Sequence, residues 1–310
     1  DLLIKNYDRS KIRIFKESLS KLPANLKQKK AYRDKTIKEL LKMDIPQKDR
    51  LAVNTINKHL TRIGTLFNFA AINGFIDSNP AKEMQLPEDK RADEYRTIFD
   101  HDDLINLFHS DEYLHDYHDA NYKFWIPIIA LYTGARLNEI AQLYLSDIHQ
   151  DQGVWVFDIN DQQDKKLKNR ASKRIVPIHP LLIDLNLIGY AERLKAEGET
   201  RLFPELTKRR DGYGHMVSDW FRAYKQKCNI IQEDRKKDFH SFRGTFITNL
   251  TYRQVPDRML KQVVGHSEGD DITFGRYAER FSPKDLFDNV ISKLDYEIDF
   301  SHLKNSRFAR

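Results

Sequence analysis

Phe124-Trp125-Ile126-Pro127-Ile128-Ile129-Ala130-Leu131-Tyr132-Thr133-Gly134-Ala135-Arg136-Leu137-Asn138-Glu139-Ile140-Ala141-Gln142-Leu143 is the stretch on which the fold turns. Its first part, Phe124 to Ala135, is the longest apolar run in the chain. That is about half of the roughly 20 residues a membrane-spanning helix needs, so the run reads as a helix buried inside a protein. Thr133-Gly134 punctuates it, and Leu137, Ile140 and Leu143 then place apolar groups on one face of a second helix. A buried helix, a glycine turn and a half-buried helix predict a domain with a helical core.

Upstream of this stretch a helix is predicted over Asp102–Ser110, followed by an acidic stretch containing histidines. Downstream, Val154–Asp158 and Arg174–Ile178 are short β-like runs on either side of a lysine-rich turn, which predicts a small antiparallel sheet. Helical patterning returns after His179-Pro180. Upstream, Val53, Ile56, Leu60, Ile63, Phe67 and Ala70 alternate steps of three and four, the spacing of one helical face over Asn54–Asn73. Gly74 suits the C-terminal cap and Asp77-Ser78-Asn79-Pro80 forbids continuation. The opposite face carries Lys58 and Arg62, and earlier helices are predicted over Ser10–Leu22 and Gln28–Met43. The charged segment from about Pro87 to Arg96 has no periodicity and suits a linker. The fold class is therefore mainly α: a helical bundle over 1–86, a linker over 87–97, and a mostly helical domain with a small antiparallel β-sheet over 98–310.

Composition narrows the function. The 310 residues include 52 Lys+Arg, 46 Asp+Glu and a single cysteine, Cys228. One cysteine excludes an intramolecular disulfide and a cysteine zinc site, and a reducing cytoplasm is the expected setting. No signal peptide or spanning segment is evident, so secretion and membrane residence are not expected. The chain opens on Asp1, which suggests that an N-terminal portion precedes it. The net charge of +6 hides an asymmetry: residues 1–85 hold 18 Lys+Arg against 9 Asp+Glu, whereas the remainder is slightly acidic. A basic module joined to a near-neutral one suits a grip on a polyanion, although a solvated lysine-rich surface has the same composition. His115 and His118 among acidic residues allow a metal site, but no further ligand completes it. No glycine-rich phosphate loop is present.

Five fragments in order bring the chemistry together. They are Thr133 to Leu143, Lys168 to Pro177, His240-Ser241-Phe242-Arg243, Val264-Gly265-His266-Ser267, and Gly275-Arg276-Tyr277-Ala278. With these residues the sequence resembles the tyrosine recombinase, or phage integrase, family over roughly 98–295, and more weakly over Thr55–Ala81. The resemblance implies a site-specific recombinase that cuts and rejoins DNA without metal, ATP or other cofactor. By that likeness, Arg136 and Arg243 clamp the scissile phosphate, a role suited to a planar, always-charged fork. Lys168 protonates the leaving 5′ oxygen. His240, three residues before Arg243, accepts the tyrosine proton or orients the phosphate, and His266 donates to a phosphate oxygen. Tyr277 attacks phosphorus and conserves the bond energy as a 3′-phosphotyrosyl link.

Duller readings stand beside these. Lys165, Lys166 and Lys173 crowd the same turn as Lys168, which is preferred because Lys168 to Arg174 resembles a Lys-Thr-x-x-Ser-x-Arg pattern, with Asn169 in the threonine position. His240 and His266 suit core histidines equally. Glu139 either buttresses Arg136 or lies on the surface. Tyr252 and Tyr296 are the alternative nucleophiles. The resemblance further implies double-stranded DNA recombination sites as partner, with Lys58 and Arg62 among the DNA contacts. It also implies a homotetramer on two duplexes, accessory DNA-bending or directionality proteins, and a basic tail at 301–310 that packs on a neighbouring protomer. The expected place of action is the bacterial nucleoid, or the host cytoplasm for a phage-encoded protein. A type IB-like topoisomerase and an inert DNA-binding relative are the rival functions.

Overall fold

The computed structural model describes residues 3–88, 97–230, 236–266 and 279–310. The chain forms two compact units, Asp1–Arg91 and Ala92–Arg310. The first contains helices α1 (Arg9–Lys21), α2 (Ile37–Leu40) and α3 (Val53–Ile72). Helix α3 carries the predicted stripe: Ile56, Leu60, Phe67 and Ala70 are buried, and Ile12 and Leu19 of α1 complete that core with Ala81 and Met84. Gly74 follows α3 with φ +73°, a left-handed conformation that costs a residue without Cβ little.

The long helix predicted over Gln28–Met43 is replaced by turns and the four-residue α2. Few apolar side chains fall between 28 and 36, so a helix there would have no stripe to bury. Tyr32 and Ile45 instead close a small separate core with Leu40. Thr36 starts α2 afresh through a reciprocal cap with Glu39.

The second unit begins with α4 (His101–Phe108), α5 (Asp111–Leu114), α6 (Asn121–Thr133) and α7 (Leu137–Ala141). Helix α6 is the spine of its core: every residue from Phe124 to Thr133 is buried. A three-stranded antiparallel sheet follows, β1 (Ile148–Asp151), β2 (Val154–Ile159) and β3 (Arg174–Pro177), in the order β1-β2-β3. Strand β1 has no counterpart in the sequence reading, because Ile148-His149-Gln150-Asp151 has one apolar side chain to betray it. Its hairpin to β2 turns through Gln152 and Gly153, both at positive φ, which suits a tight two-residue connection. Among the described residues the remaining α-helices are α8 (Pro180–Asp184), α9 (Leu187–Ala196), α10 (His215–Lys227), α11 (Ser241–Tyr252), α12 (Asp257–Val264) and α13 (Pro283–Asn289).

Residues 301–310 pack on their own unit. Leu303, Phe308 and Ala309 are buried, and Phe308 stacks on Phe124 with ring centroids 5.3 Å apart. The backbone N–H of Arg307 donates to Asp116 Oδ2 at 2.7 Å. The basic side chains alternate with apolar ones that the α6 core absorbs. No helix of the described residues is long and apolar enough to cross a membrane.

Candidate active site

Three arginines and one glutamate assemble where α6 ends. The chain leaves α6 through Gly134 at φ +60°, and a Cβ there would lie 2.5 Å from Phe246 Cδ1 on α11, so both conformation and space require glycine. This turn delivers Arg136 to the N-terminus of α7. Glu139, one turn into α7, reaches back to accept the Arg136 backbone N–H at 2.9 Å. The Arg136 guanidinium donates to Glu139 Oε1 at 2.7 Å and to Ser172 Oγ at 3.0 Å.

Arg174 enters from β3. Its Nη2 donates to Glu139 Oε2 at 2.8 Å, its Nη1 to the Ser172 carbonyl at 2.8 Å and its Nε to the Val263 carbonyl at 2.6 Å. Gly265 caps α12 at φ +68°, and a Cβ there would come within 3.0 Å of Arg174 Nη1. Arg243, on the first turn of α11, donates to the carbonyls of Gly134 (2.7 Å) and Val264 (2.6 Å). Two helix ends, α6 and α12, are thus tied together by one guanidinium.

The charge balance decides what this arrangement can do. Glu139 is the carboxylate bonded to Arg136 and Arg174, and with Arg243 beside them the cluster carries a surplus of positive charge. Arg174 and Arg243 are each 3% exposed, whereas Arg136 keeps a fifth of its side chain open to solvent. Burial, followed by the charges of Arg136 and Arg174, pushes the Arg243 pKa down to about 9. Burial works to raise the Glu139 pKa, but the charge and hydrogen bonds of Arg174, with those of Arg136, hold it below the ordinary value. His266 follows Gly265 directly. Desolvation, then the charges of Arg243, Arg136 and Arg174, lowers its pKa. Desolvated cations in surplus favour an incoming anion over water. An open guanidinium beside two buried ones suits a phosphate that gains charge as it reacts.

The structure separates the crowded lysines. Lys165 is buried, with Nζ 2.7 Å from Asp147 Oδ2, and Lys173 pairs with Asp161 at 2.5 Å. Lys166 and Lys168 are exposed and make no ion pair among the described residues. Ser172 joins their loop to the arginines: its hydroxyl donates to Asn169 Oδ1 at 2.8 Å while accepting from Arg136. His240 is exposed at the N-terminus of α11, where it lines a cavity of about 610 Å³ with Ala135, Leu137 and residues of α10. Arg243 points inward from the same turn.

Tyr277 lies outside the described residues. Of the alternative nucleophiles, Tyr296 is buried and donates to the Leu131 carbonyl at 2.7 Å, which removes it from solvent. Tyr252 stands exposed at the end of α11. His118 is enclosed by Tyr113, Phe124, Trp220, Tyr224 and Phe308, a core position rather than a ligand set. Sequence reading did not recognise Arg174 as part of the cluster. Arg174 entered that reading only as the arginine that closes the Lys168–Arg174 pattern, with no place beside Arg136.

Residues 97–282 match the family model described as the phage integrase family. The chain belongs to that family. A tyrosine recombinase of Thermosipho africanus (strain TCF52B) is 22% identical over 216 residues, covering 69% of this chain and 68% of that protein. Among solved structures, a lambda integrase dimer bound to a COC′ core site has a TM-score of 0.55 at 14% identity, over 91% of this chain and 85% of that one. The XerH site-specific recombinase in a post-cleavage complex with a palindromic difH substrate has a TM-score of 0.53 at 15% identity, over 85% and 67%. This family member is a site-specific tyrosine recombinase with the helix-rich fold and small three-stranded sheet of its kind.

Proposed function

We propose that this recombinase cleaves duplex DNA through Tyr277, with Arg136 and Arg243 holding the scissile phosphate. The observation that carries the reading is the positive surplus of the Arg136–Glu139–Arg174–Arg243 cluster, open to solvent at Arg136. In the cleavage step the Tyr277 oxygen bonds to phosphorus as the bond to the 5′ oxygen breaks. Lys168 supplies a proton to that oxygen and His240 takes the phenol proton. His266, next to the guanidiniums, donates to a non-bridging oxygen. The resulting 3′-phosphotyrosyl link is then attacked by a 5′ hydroxyl, which reverses the chemistry and rejoins the strand. All six residues fall within the span matched to the family.

Double-stranded DNA is the partner on this reading, and Lys58 and Arg62, exposed on α3, contribute phosphate contacts. A lambda integrase tetramer bound to a Holliday junction is among the structural relatives, with a TM-score of 0.53. By analogy this chain assembles as a tetramer on two duplexes and acts at the nucleoid, with accessory bending or directionality proteins.

Trapping on a nicked suicide duplex tests the nucleophile. The wild-type chain becomes covalently attached to DNA, and Tyr277→Phe does not. Attachment that persists in Tyr277→Phe overturns the assignment. Supercoil relaxation without exchange between two sites would favour the topoisomerase reading.

A further inference from the structure

The loop between β2 and β3 is held by polar groups that no catalytic role uses. At its start Asp164 accepts hydrogen bonds from Tyr213 (2.6 Å) and Tyr144 (2.9 Å) and pairs with Arg201. The Arg201 guanidinium lies between the Tyr144 and Tyr213 rings, 4.1 and 4.2 Å from their centroids. Lys208 Nζ donates to the Asp164 carbonyl at 2.7 Å. One residue on, Lys165 is buried against Asp147. At the next residue, the side-chain amide of Gln142 bonds the main chain twice: it donates to the Lys166 carbonyl and accepts the Lys166 N–H, each at 3.1 Å. Leu167 packs on the hydrophobic core. After Lys168, Asn169 is bonded to Ser172, which accepts from Arg136.

We infer that Gln142, with Asp164 behind it, is a positioning residue that sets Lys168 against the scissile phosphate. The geometry singles out Gln142 because it is 2% exposed and lies just beyond α7, the helix whose N-terminus Arg136 caps. Its amide behaves like a strand partner for one residue of the loop, and Asn138 Nδ2 fixes its orientation by donating to Gln142 Oε1 at 3.1 Å. Lys168 is thereby bracketed two residues from Gln142's grip and one from Asn169, and both anchors lead back to α7. A long flexible amine loses much of its advantage as an acid when its backbone wanders, since proton transfer needs hydrogen-bond reach. The inference rests on the reading of Lys168 as the general acid.

A leaving-group substitution separates positioning from structure. Replacing the bridging 5′ oxygen by sulfur gives a thiolate leaving group, which departs without a proton because a thiol is far more acidic than an alcohol. The probe is a suicide duplex carrying a site selected by binding from a random duplex library, made with oxygen or with sulfur at that position. Gln142→Met, close in shape but without the amide, should cleave the oxygen duplex about tenfold more slowly and the sulfur duplex within about twofold of wild type. Gln142→Glu, which keeps an acceptor for the Lys166 N–H and loses the donor to its carbonyl, should show the same pattern. Lys168→Ala should lose more on oxygen and be rescued by sulfur. Equal losses on both duplexes, or no loss on oxygen, in a folded Gln142 variant overturn the inference while Lys168→Ala rescue leaves the acid in place. Failure of sulfur to rescue Lys168→Ala removes Lys168 as the acid, and the positioning claim with it.

Discussion

Arg243 does two jobs that pull on the same side chain: it ties the ends of α6 and α12 together through carbonyls, and it adds positive charge beside Arg136. Lysine cannot reproduce the fork, so Arg243→Lys is expected to reduce covalent trapping by about 100-fold or more, the scale of losing a preorganised donor at a developing charge. Gly265 tests the same cluster from the packing side. Its left-handed backbone strains any residue with a Cβ, and a methyl group there would press on Arg174 at 3.0 Å. Gly265→Ala should cost about 1–2 kcal/mol in urea unfolding from the backbone alone, and should slow cleavage because Arg174 must move. A variant of full stability and activity would show that this contact does not constrain the site. Of the residues gathered here, Arg136, Arg243 and His266 were legible because each sits beside a turn-forming neighbour or in a spaced motif. Arg174 was legible only as the end of the Lys168–Arg174 pattern; its place against Glu139 follows from the pairing of β3 with β2, which turns it inward.

At the scale of elements, α6 organises the second unit, and the C-terminal segment and the histidine-rich stretch both close on it. Phe308→Ala should lower the stability of this unit by about 3 kcal/mol, because the ring is buried against Phe124 and leaves a cavity. Thermal unfolding checks this, and a shift of less than a degree would mean the segment is not part of the cooperative core. Buried His118 and half-buried His179 add a pH dependence. Desolvation lowers the pKa of His118 and of His179 to about 4. Between about pH 6.5 and pH 4 the unfolded chain therefore binds more protons than the folded one, and stability falls as pH falls through that window. Each histidine contributes up to about 1.4 kcal/mol per pH unit. His118→Phe should remove about one proton from the slope of unfolding free energy between pH 6.5 and 4.5, measured with urea; an unchanged slope would refute the buried neutral state. The sequence pattern exposed α3, α6 and the pair β2 and β3, whose apolar residues recur with a clear period. It missed β1 and overextended the helix after Gln28, where the decisive groups are a hairpin turn and a cap rather than a stripe.

For the molecule as a whole, the charge asymmetry places the excess of cations in the first unit. If that unit grips DNA through phosphates, binding should weaken steeply with salt, and Lys58→Ala and Arg62→Ala should each reduce the slope of log affinity against log salt by about 1. A slope unchanged in both variants would remove α3 from the DNA contacts. Neither substitution should change the catalytic unit's thermal stability, since both side chains are exposed on the other unit. What the sequence determined by itself was the class of fold and the chemistry, because helical periodicity and short ordered motifs are local properties. What only the tertiary structure decided was which charges count. Glu139, Ser172 and Arg174 come from separate elements, and one of four neighbouring lysines is buried against Asp147 while another pairs with Asp161. Burial and pairing are set by contacts between residues distant in the chain, and no local spacing encodes them.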